Sequence, residues 1–103
     1  MITLEQLRTV YKPQILALAD QQGVENIRVF GSVARGEQTE SSDVDFLIKM
    51  RAGCGLWEIS GLLWRLEDLL KTDVQLVDEK SVIKNAYPDE REHIFNEAVP
   101  LGH

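Results

Sequence analysis

Two carboxylates separated by a single residue, Asp43 and Asp45, stand at the head of an apolar run ending at Met50. In an extended strand, side chains two apart project to the same face, so both can reach one divalent cation. Without a cation, the repulsion between them makes the arrangement costly. Upstream lies Gly31-Ser32. Glycine lets a polyanion approach the backbone closely, and a helix starting there directs unpaired N–H groups and a partial positive charge toward that anion. The hydroxyl of Ser32 adds a donor. Each feature alone has an ordinary reading, with Ser32 as a helix cap and Asp43 as a turn or strand-entry residue. Jointly, a phosphate cradle and a hard-cation site on successive strands describe a nucleoside triphosphate held through Mg²⁺. Arg35 is a further candidate, as a fixed cation for a phosphate, with a salt bridge to Glu37 or Glu40 as the alternative.

These residues need elements to hold them. Ile27 to Phe30 is a short β-rich run leading directly into Gly31, and Val33 to Arg35 reads as a turn or two of helix ended by Gly36. Glu37 to Ser42 is a polar loop, and Val44 to Met50 is a second strand, apolar enough to be buried on both faces. At the start of the chain, Thr3 with Gln6 forms a capping box for a helix carrying Leu4, Leu7, Tyr11, Ile15 and Leu18 on one face. Pro13 either kinks that helix or sits in the first turn of a second one, and Gly23 supplies a left-handed stop. Leu56, Ile59, Leu63, Leu66 and Leu70 predict the apolar face of a helix over Leu56 to Leu70. Val74 to Val77 predicts a third strand and Ser81 to Asn85 a short helical turn. Asp89 and Glu92 predict a capping box for a last helix that buries Ile94, Phe95 and Ala98 and stops at Pro100. The expected fold is a single α/β domain over residues 1–103, a small mixed sheet of at least three strands flanked by helices.

Composition narrows the chemistry. The 17 Asp and Glu against 11 Lys and Arg leave a formal net charge of -6, which argues against coating duplex DNA, because phosphate binding needs a clustered basic surface. No apolar run approaches the roughly 20 residues of a membrane span, and Met1 to Glu5 does not read as a signal peptide, so a cytoplasmic protein is expected. The single cysteine, Cys54, has no internal disulfide partner, and with His93 and His103 it leaves too few soft ligands for a structural zinc site. Any bound metal must be held by oxygen.

Gly31-Ser32, ten intervening residues, then Asp43-x-Asp45 resembles the signature of the DNA polymerase beta-like nucleotidyltransferase superfamily. The flanking Val33-Ala34-Arg35-Gly36 and Ser42-Asp43 narrow the resemblance to the minimal nucleotidyltransferases, and the likeness runs to the terminal Glu97-Ala98-Val99-Pro100-Leu101. The resemblance implies a compact nucleotidyltransferase fold in which the serine grips the nucleotide's phosphates and the paired aspartates bind two Mg²⁺ ions. It also implies a partner. Proteins of this kind commonly act as antitoxins beside a HEPN-domain toxin, and some transfer AMP from ATP to a tyrosine of that toxin. The pattern departs at the next strand, where a third carboxylate is expected and Val74-Gln75-Leu76-Val77 stands instead. A glutamine amide can ligate a cation through its oxygen, but it carries no negative charge and accepts no proton at neutral pH. Asp73 shares the strand parity of Gln75 but lies roughly 6.5 Å away along the strand, and Asp78 has the opposite parity. Two functions therefore compete: an active protein adenylyltransferase, and an antitoxin of the same fold that lost turnover and acts by binding its toxin.

Outside that segment, Trp57 and Trp64 fall together on a helical wheel, nearly opposite the leucines. Another helix of the domain would cover them, or they form a surface for a partner or a second copy. His93 is expected to be solvated, His103 terminal, and Cys54 a packing or incidental thiol rather than a nucleophile.

Overall fold

The structure, a computed structural model, describes residues 1–101; His103 lies outside them. Two short helices open the chain, α1 (Leu4–Arg8) and α2 (Lys12–Gln21). The capping box of α1 forms as expected: the Thr3 hydroxyl accepts from the Gln6 N–H at 3.1 Å and the Gln6 amide accepts from the Thr3 N–H at 3.0 Å. Pro13 lies in the first turn of α2, so the chain breaks into separate helices rather than kinking one.

After Gly23 comes β1 (Val24–Phe30), then α3 (Gly31–Arg35), β2 (Val44–Met50), α4 (Leu56–Leu70) and β3 (Val74–Asp78). The chain ends in α5 (Glu79–Asn85), α6 (Pro88–Glu97) and β4 (Val99–Pro100). The sheet order is β3-β2-β1-β4, with β2 parallel to β3 and β1 antiparallel to both of its neighbours. A mixed α/β fold with a four-stranded sheet flanked by helices results.

One side of the sheet carries the main core. Val29, Phe46, Ile48, Val44 and Val74 lie in register on it and pack with Leu7, Ile15, Leu62, Leu66 and Leu70 of the covering helices. The opposite side is divided. Leu47 is fully buried there, while Arg28 reaches Glu79 at the start of α5 across 3.1 Å and stacks over the Phe95 ring of α6, 5.3 Å from its centre. The row next to it, Phe30, Asp45 and Gln75, is less covered.

Several expectations need correction. Strand β1 begins at Val24, not Ile27, because a register irregularity between Val24 and Asn26 breaks the alternation that a two-residue period looks for. Leu56 is 81% exposed, and Leu62 takes a place in the core that the leucine pattern assigned elsewhere. At about 100° per residue, Leu62 lies roughly 40° from Leu66 and Leu56 roughly 80°, so Leu56 is at the margin of the buried stripe and in the first turn besides. Helix α5 starts at Glu79, two residues before the expected turn, because the Asp78 carboxylate accepts from the Lys80 N–H at 3.2 Å and caps it.

Helix α6 begins at Pro88 with Tyr87 as its cap, and Asp89 serves in the first turn instead of capping. Its Ile94, Phe95 and Ala98 are half-buried rather than core. Pro100 does not stop the helix: Glu97 is its last residue, and Val99–Pro100 pair with Val29 and Arg28 as an edge strand, where a missing N–H is tolerated. Trp57 and Trp64 are 88% and 70% exposed, so no helix of the described residues covers them.

Candidate functional site

The site is assembled by register. Phe30 pairs with Asp45, and Asp45 pairs with Gln75, so these side chains line one face of the sheet at the end where β1 turns into α3. Gly31 makes that turn with φ at +77°, a conformation that side chains resist. Space demands glycine as well: a methyl group on Gly31 would overlap the Asp45 carboxylate and stand 3.1 Å from its Cγ. The carboxylate of Asp45 therefore lies directly against the turn that carries Ser32.

Ser32 is inside α3 rather than its cap, since Phe30 holds the cap position without a side-chain hydrogen bond. The hydroxyl is not committed to capping, and it sits half-buried beside the N–H groups of the first turn. Gly36 ends α3 in the left-handed region, as its position suggested. Asp43 is exposed one residue before β2, where the Val44 N–H donates to the Asp73 carbonyl at 3.0 Å and anchors the strand entrance to the edge of β3.

Asp45 is half-buried, and burial pushes its carboxyl above the ordinary value; the charge of Asp43 pushes it further up, Arg35 pulls it down, and Glu97 adds to the rise. That pattern places a guanidinium and three carboxylates within electrostatic range of one another. Arg35 donates through Nε to Glu37 at 3.3 Å and through Nη1 to Glu97, and these bonds, Glu97's first, hold its guanidinium charged beyond its ordinary range. The ion pair to Glu37 was one of the alternatives visible in the sequence. Glu97 was not; it lies 62 residues away, and its only signal was the likeness of the terminal segment.

Gln75 occupies the register position where the third carboxylate was expected, and it is exposed. Asp73 lies outside β3, and Asp78 shares the parity of Ile48 and caps α5, so neither replaces it on this face. Among the described residues, no group of three or more His, Cys, Asp or Glu is arranged to hold a metal ion. A cation with an all-protein cage therefore does not fit. Magnesium does, since it keeps several waters and takes one or two carboxylates together with substrate phosphates. The residues that could hold it are Asp43 and Asp45. The Cys54 thiol is half-buried against Gly23, where an added methyl would meet it, so its place is a packing one.

A tight Gly-Ser turn thus stands against a half-buried aspartate in a small α/β domain built on a four-stranded mixed sheet. The sequence profile of the family described as "Nucleotidyltransferase domain" matches residues 13–101. The chain belongs to that family. Protein adenylyltransferase MntA of Thermococcus cleftensis is 38% identical over 82 residues, covering 80% of this chain and 83% of that protein. A solved structure described as a minimal nucleotidyltransferase superposes with a TM-score of 0.81 at 39% identity, covering 97% of both chains. The fold also matches a chain of the tri-AMPylated Shewanella oneidensis HEPN toxin in complex with MNT antitoxin, with a TM-score of 0.63 at 19% identity, over 91% of this chain and 71% of that one.

Proposed function

We propose that this nucleotidyltransferase transfers AMP from ATP to a protein partner, a HEPN-domain toxin, and thereby serves as its antitoxin. The observation that carries the reading is the seating of the Asp45 carboxylate against the Gly31-Ser32 turn, with Asp43 two residues away on the strand approach. The name of the MntA relative and the toxin–antitoxin complex of the fold neighbour support it. Asp43 and Asp45 would hold Mg²⁺. When bound, the ion neutralises charge on the triphosphate and on the departing pyrophosphate.

The protein's own residues supply position. Gly31 lets phosphate oxygens approach the backbone, Ser32 donates its hydroxyl to them, and Arg35 adds a fixed positive charge at the rim. The acceptor hydroxyl has to come in line with the α-phosphorus on the carboxylate side; its oxygen bonds to that phosphorus as the bond to pyrophosphate breaks, and its proton leaves to water. Gln75 cannot take that hydroxyl's proton. A cytoplasmic setting belongs to the same reading, since that compartment supplies ATP and keeps the lone thiol reduced. Among the described residues, no helix is long and apolar enough to cross a membrane.

Incubation with α-labelled ATP, Mg²⁺ and the product of the neighbouring gene tests the proposal. Label should appear on the partner and disappear with Asp43→Asn or Asp45→Asn. Gln75 motivates a second reading, a catalytically impaired domain that neutralises the toxin by binding it. A complex that forms equally well without nucleotide and with both aspartate variants, and that takes no label, would establish this second reading instead.

The exposed Trp57 and Trp64 are the proposed contact surface for that partner or for a second copy, because aromatic side chains dominate interface energies. Trp57→Ala combined with Trp64→Ala should reduce the assembled mass in size-exclusion light scattering without loss of fold. Direct binding to duplex DNA is not part of the proposal, given the net charge of -6.

A further inference from the structure

Glu97 is an unusual place for a negative charge. Its side chain is only 11% exposed, and it is the last residue of α6, where the helix dipole is negative and disfavours a carboxylate. A nearly buried acid in that position needs a compensating cation. Arg35 provides it from α3, and His93, one helical turn back, stands 3.8 Å from the other Glu97 oxygen. The dependence runs both ways, because the guanidinium is thereby fixed.

Helix α6 is itself held to the sheet by Arg28 beneath Phe95 and by the pairing of β4 with β1 directly after it. The orientation of the Arg35 guanidinium is thus set by the C-terminal elements as well as by α3, which Val33 anchors in the core. Two of its nitrogens, Nε and Nη1, are committed to Glu37 and Glu97. Nη2 has no hydrogen-bond partner among the described residues, and the guanidinium stays within electrostatic range of Asp45.

We propose that Glu97 is a positioning residue for nucleotide recognition: it orients the Arg35 fork so that the remaining nitrogen meets the β- and γ-phosphates. This rests on the nucleotidyltransferase reading of the site. The arrangement resolves an apparent conflict, since an arginine already paired with two carboxylates can still donate to a phosphate, provided that its fork is fixed in orientation. Glu37 is largely exposed at 67% and contributes less to that orientation, because a solvated partner is free to move.

The test is calorimetric binding of Mg-ATP and of AMP to the full chain and to Glu97→Gln, Arg35→Ala, the double variant and Arg35→Lys. Glu97→Gln should weaken Mg-ATP binding about tenfold, the scale of a lost charge-assisted hydrogen bond, while AMP binding stays within about twofold. A purely structural role would lower the melting temperature and weaken both ligands alike. Because Glu97 acts through Arg35, the double variant should bind Mg-ATP no more weakly than Arg35→Ala alone. Arg35→Lys keeps the charge and removes the fork, so it should lose the same preference for the triphosphate even if Glu97→Gln fails to fold.

Additive losses in the double variant would overturn the proposal. So would full ATP-over-AMP preference in either Glu97→Gln or Arg35→Lys. If the unmodified chain binds Mg-ATP but labels no protein partner, the transferase reading falls while the cycle still decides the role of Glu97. If it binds no nucleotide, both readings fall.

Discussion

On β2, Val44, Phe46 and Ile48 point to one side of the sheet, and Asp45 and Leu47 to the other. The first side is sealed by α1, α2 and α4, and each of its three residues is at most 1% exposed. The second is sealed only halfway along, where Leu47 lies with Arg28 beneath α5 and α6, and it opens at Asp45. Alternation along one strand thus serves two purposes. The sealed side gives the strand a fixed height and register, and the open side uses that register to hold a carboxylate against a glycine turn. An acid that is half-buried without a protein cation of its own is tolerated because the opposite face anchors its backbone.

Disruption of each side should therefore fail differently. Phe46→Ala removes a fully buried ring from the sealed side and should cost about 3–5 kcal/mol, measured by denaturant unfolding. Nucleotide binding would then be lost together with the fold. Gly31→Ala acts on the open side. It places a side chain at φ +77° against the Asp45 carboxylate, so the main consequence is a displaced carboxylate. Labelling of the partner should fall by about 100-fold, as an ångström-scale misplacement does, with circular dichroism unchanged. If Phe46→Ala left the fold intact, or if Gly31→Ala left labelling intact, the division of labour between the two sides would be wrong.

The intermediate prediction concerns Gln75, the in-register neighbour of Asp45. Gln75→Asp places a third carboxylate on the open side, within the distance that separates adjacent strands. Mg²⁺ affinity should rise about tenfold by calorimetry, and labelling should rise with it as a cation ligand and proton acceptor become available. In EDTA the same variant should melt lower, because like charges in register repel. Unchanged labelling together with tighter Mg²⁺ binding would show that another group, on this chain or its partner, already carries out the step that Gln75 cannot.

The two sides also differ in what could be read beforehand. The sealed side and the meeting of Asp45 with the Gly31 turn were legible because they depend on neighbours along the chain: a strand period of two, a glycine at a turn, and a run of leucines at helical spacing. Leu62 was missed for a related reason, since several leucines on one helix offer more than one plausible stripe and packing against α2 and the sheet chooses between them. Glu97 was out of reach. Its meeting with Arg35 depends on where α6 lands, and that follows from an aromatic contact with Arg28 and from a two-residue strand ending in proline, neither of which has a local pattern. Parity arguments placed Gln75 beside Asp45 and Asp78 on the other face, because register across a parallel pair preserves them, whereas Asp73 falls before β3, where strand parity no longer applies.

The smallest effect, and the one that isolates the open side most cleanly, is the pH dependence set by Asp45. Its folded-state carboxyl is raised above the ordinary 3.8, first by burial and then by Asp43. The folded protein consequently holds this proton more tightly than the unfolded chain does. Below the unfolded value both states are protonated and the group's contribution to stability is fully present. As pH rises through the folded value, that contribution is lost, because ionisation is disfavoured only in the folded state. Metal-free protein should therefore lose stability in this window, and Asp45→Asn, which keeps the shape without the charge, should not. In EDTA the variant's melting temperature should match the unmodified protein's in acid and exceed it by a few degrees at neutral pH. Addition of Mg²⁺ at neutral pH should raise the unmodified protein alone, because a cation favours the ionised form. A lower melting temperature for Asp45→Asn in EDTA at neutral pH would mean that the attraction of Arg35 outweighs burial and Asp43, and the open side would then be a satisfied ion-pair network, not a site waiting for a cation.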